Sequence, residues 1–178
     1  LQHRVRLRHP EKRDRAAYFA VRKDSEAFLE PWEPAMPPGF DCYSEEYFEE
    51  FLDKCHHPRR DISFVERIED TQILGLLSIT DIARGAFQNA YLGYWIGASY
   101  ARQGFMKEAI QLALERVFSY HQLHRIEANI MPNNIASIAL VRSAGFRLEG
   151  LSKRYLKICG NWEDHERWAL TSEEWAEP

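Results

Sequence analysis

A short polar loop, Arg102, Gln103 and Gly104, joins a strand-like run, Tyr91 to Ile96, to a helical run that begins at about Gly104. Glycine at that point lets the backbone turn tightly and come close to a ligand. The run FMKEAIQLALERVFSY then sets Phe105, Ala109, Leu112, Ala113, Val117 and Phe118 on overlapping helical faces. The first amides of such a helix have no intrahelical acceptor. Together with the helix dipole they form a site for an anion such as a pyrophosphate, although one glycine also fits an ordinary strand-to-helix turn. Downstream, RIEANI alternates Ile126, Ala128 and Ile130 against Arg125, Glu127 and Asn129, so Glu127 and Asn129 share a polar strand face. Pro132 ends that strand. Asn134 fits the N-cap of a helix from Ile135 to Ala144, with Ser137 at its N3 position and Gly145 just past its end. The whole stretch reads as a βαβα unit built around a phosphate-bearing cofactor.

The elements that must position these groups follow from punctuation and periodicity. Arg4, Arg6 and Arg8 alternate with Val5 and Leu7, as on an edge strand with a charged, solvated outer face. Contact with ribosomal RNA, or with the adenosine phosphate of a cofactor, is the alternative for these arginines. A helix is expected over Asp14 to Phe28, a shaped loop over the proline-rich Pro31 to Phe40, and a helix from Ser44 to about Lys54. Strands are expected at Ile62 to Ile68 and Ile73 to Thr80. Two more, about Phe146 to Ile158 and Asp164 to Leu170, form a hairpin through Cys159, Gly160 and Asn161. Alternating strands and helices of this kind predict an α/β domain, residues 1–178, with a mixed sheet of about seven strands and helices on both faces.

Composition sets compatible bounds. With 178 residues, 45% hydrophobic and 28% charged, the chain is one globular domain with a sizeable core. It has no apolar run near membrane-spanning length and no secretory signal at its start, so no membrane partner and a cytoplasmic location are expected. A net charge of -4 gives no field for DNA. Three scattered cysteines, Cys42, Cys55 and Cys159, argue against a disulfide framework, and Cys55, His56 and His57 lack a further ligand at zinc-site spacing; no metal is expected.

Five segments together carry a family resemblance: PWEP (Pro31 to Pro34), YLGYWIG (Tyr91 to Gly97), Gly104 to Ala109, HRIEANIMPNN (His124 to Asn134) and YLKICGNWEDH (Tyr155 to His165). With NNIAS and AGF they make the chain resemble the GNAT superfamily of acetyl-CoA-dependent N-acetyltransferases, and within it the RimJ/RimL-type ribosomal-protein alanine N-acetyltransferases, RimJ above all. The resemblance spans nearly the whole chain. It implies a GNAT fold, acetyl-CoA as donor with CoA as product, and the N-terminal amine of a ribosomal protein beginning with Ala or Ser as acceptor. The enzyme would act as a monomer or homodimer. In this superfamily the strand before the phosphate loop splays from its neighbour, which here leaves a backbone amide near Trp95 or Ile96 to hold the thioester oxygen. The implied cofactor contacts are Tyr94, Trp95, Ile96, Arg102, Gln103, Gly104, Phe105, Met106, Asn134 and Ser137, with Ser137 near the departing thiolate. Trp32, Glu33, Tyr94 and Asn129 are candidates for the acceptor cleft, with Glu33 able to receive an ammonium or else to pair with an arginine.

The catalytic side chains depart from RimI-type relatives. Those carry a glutamate and a tyrosine where this chain has Asn129 and Val141. Neither residue can transfer the proton, since valine has none and a neutral amide is too weak a base. Glu127, on the same strand face as Asn129, is the substitute, with Asn134 and Ser137 completing the candidate catalytic set. An acceptor that is already partly neutral needs little more, and this favours an α-amine over lysine. The alternatives are a polyamine or antibiotic acetyltransferase and, in another class, a non-catalytic ribosome-binding or regulatory module on the same fold.

Overall fold

A computed structural model of the chain, described for residues 3–176, places seven strands in one sheet. In chain order the strands are β1 (Val5–Arg8), β2 (Asp61–Arg67), β3 (Ile73–Thr80), β4 (Asn89–Ile96), β5 (Arg125–Ile130), β6 (Arg147–Ile158) and β7 (Asn161–Thr171). Their spatial order is β1-β2-β3-β4-β5-β7-β6, antiparallel except for β4 against β5. The helices are α1 (Arg15–Lys23), α2 (Glu26–Leu29), α3 (Glu45–Cys55), α4 (Phe105–Glu115), α5 (Ile135–Ser143) and α6 (Ser172–Ala176).

Strand alternation sorts the core onto two faces. Leu77, Ile79, Leu92, Ile126, Ala128 and Leu170 pack with Ile110, Ala113, Ile138 and Val141 from α4 and α5. On the other face Phe64, Ile73, Leu76 and Trp95 meet Tyr18, Val21, Phe48 and Leu52 from α1 and α3. The expected hairpins, the helix begun at Ser44 and the Asn134 cap are all present; Ser44 Oγ accepts from the Tyr47 amide and Asn134 Oδ1 from the Ser137 amide at 3.2 Å.

Three expectations are corrected. The helix from Asp14 to Phe28 is broken between Lys23 and Glu26, where buried Ser25 turns its Oγ to the Ala98 N–H at 2.9 Å. That bond ties the end of α1 to the chain just before the phosphate loop. The helical run after Gly104 is regular only to Glu115 and ends in a π turn over Arg116–Tyr120, with Arg116 bonded to Asp61, Ser63 and the Leu7 carbonyl. The N-terminal arginines do lie along the edge strand, with Arg4 and Arg6 exposed, but they are paired rather than simply solvated. Arg6 and Arg8 both pair with Glu66, which is 2% exposed, and Arg8 also pairs with buried Asp14. A carboxylate removed from water to this degree needs such partners.

Candidate active site

The sheet opens where the chemistry was expected. β4 pairs with β5 only over Asn89–Tyr91 against Arg125–Glu127, so Leu92 to Ile96 diverge from β5 and leave a wedge through the sheet. Close packing of β3 holds the splayed strand in place. A Cβ on Gly75 would lie 2.2 Å from the Trp95 carbonyl oxygen, so glycine is required there. The Gly97 N–H reaches the Leu74 carbonyl at 2.7 Å. Alternation along the strand therefore commits the Trp95 amide to β3 and turns the Tyr94 and Ile96 amides toward the wedge. Of the two amides expected near a thioester oxygen, Trp95 turns to β3 and Ile96 is the one left facing the wedge.

The phosphate loop sits at the mouth of this wedge. Arg102 (φ 63°) and Gly104 (φ 85°) both take left-handed conformations and bracket Gln103 in a tight turn. The first bond of α4 runs from the Glu108 amide to the Gly104 carbonyl, leaving the Phe105, Met106 and Lys107 amides ahead of the ladder. The residues fit a pyrophosphate, because these amides adjoin an exposed glycine and the first-turn carboxylate, Glu108, is paired with Arg4. Arg4 braces the loop, with Nη2 donating to the Gln103 carbonyl at 2.9 Å and its guanidinium 4.5 Å from the Phe105 ring centre. The sequence does not place Arg4 against this loop.

The two faces of the wedge carry different chemistry. On the α4–α5 face, the Tyr94 hydroxyl lies 2.7 Å from Ser137 Oγ. Burial pushes the Tyr94 phenol up to about 12, partly offset by its bond to Ser137, so it remains protonated. Tyr94 was expected in the acceptor cleft as well as against the cofactor; its hydroxyl stands on the Ser137 side, where it and Ser137 can solvate a departing thiolate. Val141 is fully buried in the core and takes no part.

On the opposite face stand Tyr91, Trp95, Arg125, Glu127, Asn129, Arg167 and His165. Glu127 was expected as the substitute base, and it is neither exposed nor free: at 1% exposure it accepts from Arg125 Nε at 3.2 Å and Arg167 Nη2 at 2.7 Å. Asn129 lies opposite Arg167 in the ladder, and Asn129 Oδ1 and Arg167 Nε are both buried without a partner among the described residues. Glu33 takes its fallback role. Its two oxygens accept from both terminal nitrogens of Arg22 at 2.7 and 2.8 Å, and that guanidinium lies 5.0 Å from the Trp95 ring centre. Trp32 is half-buried on the same turn, and the Glu33 carbonyl accepts the Cys159 N–H at 2.9 Å, joining this loop to the β6–β7 hairpin. Arg22, Arg125 and Arg167 were missed in the sequence because an arginine's partner across strands carries no local signal.

Two expected results follow. Ser137→Ala lowers kcat by about tenfold with little change in acetyl-CoA affinity, because Tyr94 keeps the remaining hydroxyl in place; an unchanged kcat in steady-state assays removes Ser137 from the chemistry. Glu127→Gln lowers stability by on the order of 2 kcal/mol, since it leaves two arginines unbalanced beside a buried amide, one of them 39% exposed. Calorimetry checks this. A variant with unchanged Tm and abolished turnover makes Glu127 a proton acceptor instead.

Comparison with known proteins agrees with this geometry. Residues 4–147 match the acetyltransferase (GNAT) domain family. A probable N-acetyltransferase of Bacillus subtilis, YjcK, is 40% identical over 101 residues, 57% of this chain and 56% of that protein. The ribosomal protein uS5-alanine N-acetyltransferase of Escherichia coli is 34% identical over 175 residues, covering 96% of this chain and 88% of that one. Among solved structures, Mycobacterium smegmatis RimJ in complex with CoA-disulfide superposes with a TM-score of 0.89 at 35% identity, over 97% of this chain and 84% of that one. With the wedge, the phosphate loop and these likenesses in agreement, the chain belongs to the GNAT family and is an acetyl-CoA-dependent N-acetyltransferase.

Proposed function

We propose that the acceptor is the N-terminal α-amine of a protein beginning with Ala or Ser, with a ribosomal protein in the cytoplasm as partner. The observation that carries this is the state of the carboxylates around the wedge. Glu33 is held by Arg22, and Glu127 by Arg125 and Arg167, so neither offers a free anionic site for a polycationic amine. The activity of the uS5-alanine relative and the likeness to RimJ support the same reading.

The bound cofactor supplies an activated acetyl group; the protein has to place a neutral amine against it and stabilise charge. The Ile96 amide faces the position of the developing oxyanion. Tyr94 and Ser137 face the sulfur side, and the acceptor enters from the face of Asn129 and Arg167. Among the described residues no helix is long and apolar enough to cross a membrane.

Mass spectrometry of N-terminally acetylated proteins, in cells with and without this chain, tests the reading. The expected result is loss of acetylation on one or a few ribosomal proteins starting with Ala or Ser. An unchanged N-terminal profile, together with faster turnover of spermidine than of peptides by the purified enzyme, overturns it.

A further inference from the structure

His165 is a buried imidazole that none of the roles above uses. It lies on β7 two residues before Arg167, on the acceptor face, and is 4% exposed. Its Nδ1 stands 3.0 Å from the Glu163 carbonyl oxygen. A carbonyl only accepts, so Nδ1 carries the proton and Nε2 is left with a lone pair. Nε2 has no hydrogen-bond partner among the described residues. The tautomer that a proton acceptor requires is therefore held by the backbone.

The neighbouring strand is distorted around this ring. In the β6–β7 ladder Ser152 faces His165 and Leu156 faces Glu163, so Lys153, Arg154 and Tyr155 stand against Asp164 alone. Arg154 takes a left-handed conformation, φ 49°, and its N–H is held by Asp164 Oδ1 at 2.8 Å. Bulges of this kind re-aim side chains and concentrate beside active sites. Here the bulge lays the Tyr155 ring against His165, with ring centres 5.6 Å apart. The titratable and charged groups of the surrounding elements include Lys153, Arg154 and Tyr155 on β6, Glu163, Asp164, Glu166 and Arg167 on β7, Tyr91 on β4, Arg125 and Glu127 on β5 and Glu33 on the loop paired with Cys159.

We propose that Nε2 of His165 accepts the proton that the acceptor amine loses, directly or through one water, with Tyr155 as the positioning residue that holds the ring. The amine nitrogen bonds to the acetyl carbon as the carbon–sulfur bond breaks. The nitrogen's proton passes to Nε2, the thiolate, solvated by the Tyr94 and Ser137 hydroxyls, takes a proton from solvent, and the imidazolium returns its proton to solvent. The inference concerns proton removal from any acceptor amine and stands apart from the choice of a protein N-terminus.

The pH dependence of kcat/KM with the preferred acceptor tests it. On the acid side the wild-type logarithmic profile should approach a slope of about 2, because both the amine and its proton acceptor must be unprotonated. His165→Asn, which keeps a donor for the Glu163 carbonyl, should have a slope of about 1 and about a 10²-fold lower kcat/KM at pH 7. Its stabilisation by acetyl-CoA should be unchanged. A loss below about threefold, or an unaltered slope, overturns the assignment. Should the variant fail to fold, the wild-type enzyme still decides. With a fluorinated acceptor analogue whose amine is neutral throughout, one acid limb should remain, and a flat profile overturns the proposal.

Discussion

A peptide with a free N-terminal Ala or Ser should be acetylated at least about 100-fold faster at pH 7 than the same peptide with a blocked N-terminus and one internal lysine. The expectation starts from the reacting atoms, since only a neutral amine attacks. An α-amine of pKa about 8 is neutral in roughly one molecule in ten at pH 7, and a lysine of pKa about 10.4 in roughly one in 2,500. The ratio of about 250 passes into kcat/KM unless the site lowers the lysine pKa, which takes burial or a nearby positive charge aimed at the amine. Deprotonation raises the reactive fraction, so kcat/KM should rise with pH and level off near 8 as the α-amine finishes titrating. Initial rates on the two peptides across pH 6 to 9 measure both effects. Lysine acetylation at equal efficiency sinks the N-terminal reading while leaving the acetyltransferase assignment intact.

Gly104→Val should abolish stabilisation by acetyl-CoA and reduce kcat/KM by more than about 100-fold. Gly104 has φ 85°, where a β-branched residue is strained by roughly 1 to 2 kcal/mol. An added Cβ would also stand 3.0 Å from Arg4 Nη2, the group that braces the loop through the Gln103 carbonyl. The valine methyl groups would project over the free amides of Phe105 and Met106, where a phosphate must come close. At a concentration near 100 times Kd, acetyl-CoA should stabilise the wild-type fold by about 2.7 kcal/mol, a rise in Tm of roughly 5 to 10 °C for a chain of this size. NAD or ATP should not match it. Thermal unfolding with and without each ligand gives the answer, and a wild-type Tm that acetyl-CoA leaves unmoved overturns the role given to this loop.

Much of the cofactor half was legible in the residues themselves. Gly104 before a helical run, the alternation of Ile126, Ala128 and Ile130, and Asn134 three positions before Ser137 are local signals. Each acts through its own stretch of backbone, by φ freedom, strand periodicity or capping, and all reappear in the structure. The break in the first helix was not legible, because Ser25 bonds to Ala98, distant in sequence, and helical propensity carries no record of that partner. The same limit governed the charges. The sequence named no counter-ion for Glu127 or the N-terminal arginines and left open which arginine would meet Glu33, whereas the fold supplies Arg22, Arg125, Arg167, Glu66 and Asp14 as partners. By itself the sequence determined the order of elements, the glycine loop ahead of a helix start and the absence of the relatives' Glu and Tyr at Asn129 and Val141. Only the tertiary structure decided which carboxylates are free, which face Tyr94 serves and that His165 offers its Nε2. Charge pairing and burial depend on neighbours across strands, and strand order and register are properties of the sheet as a whole.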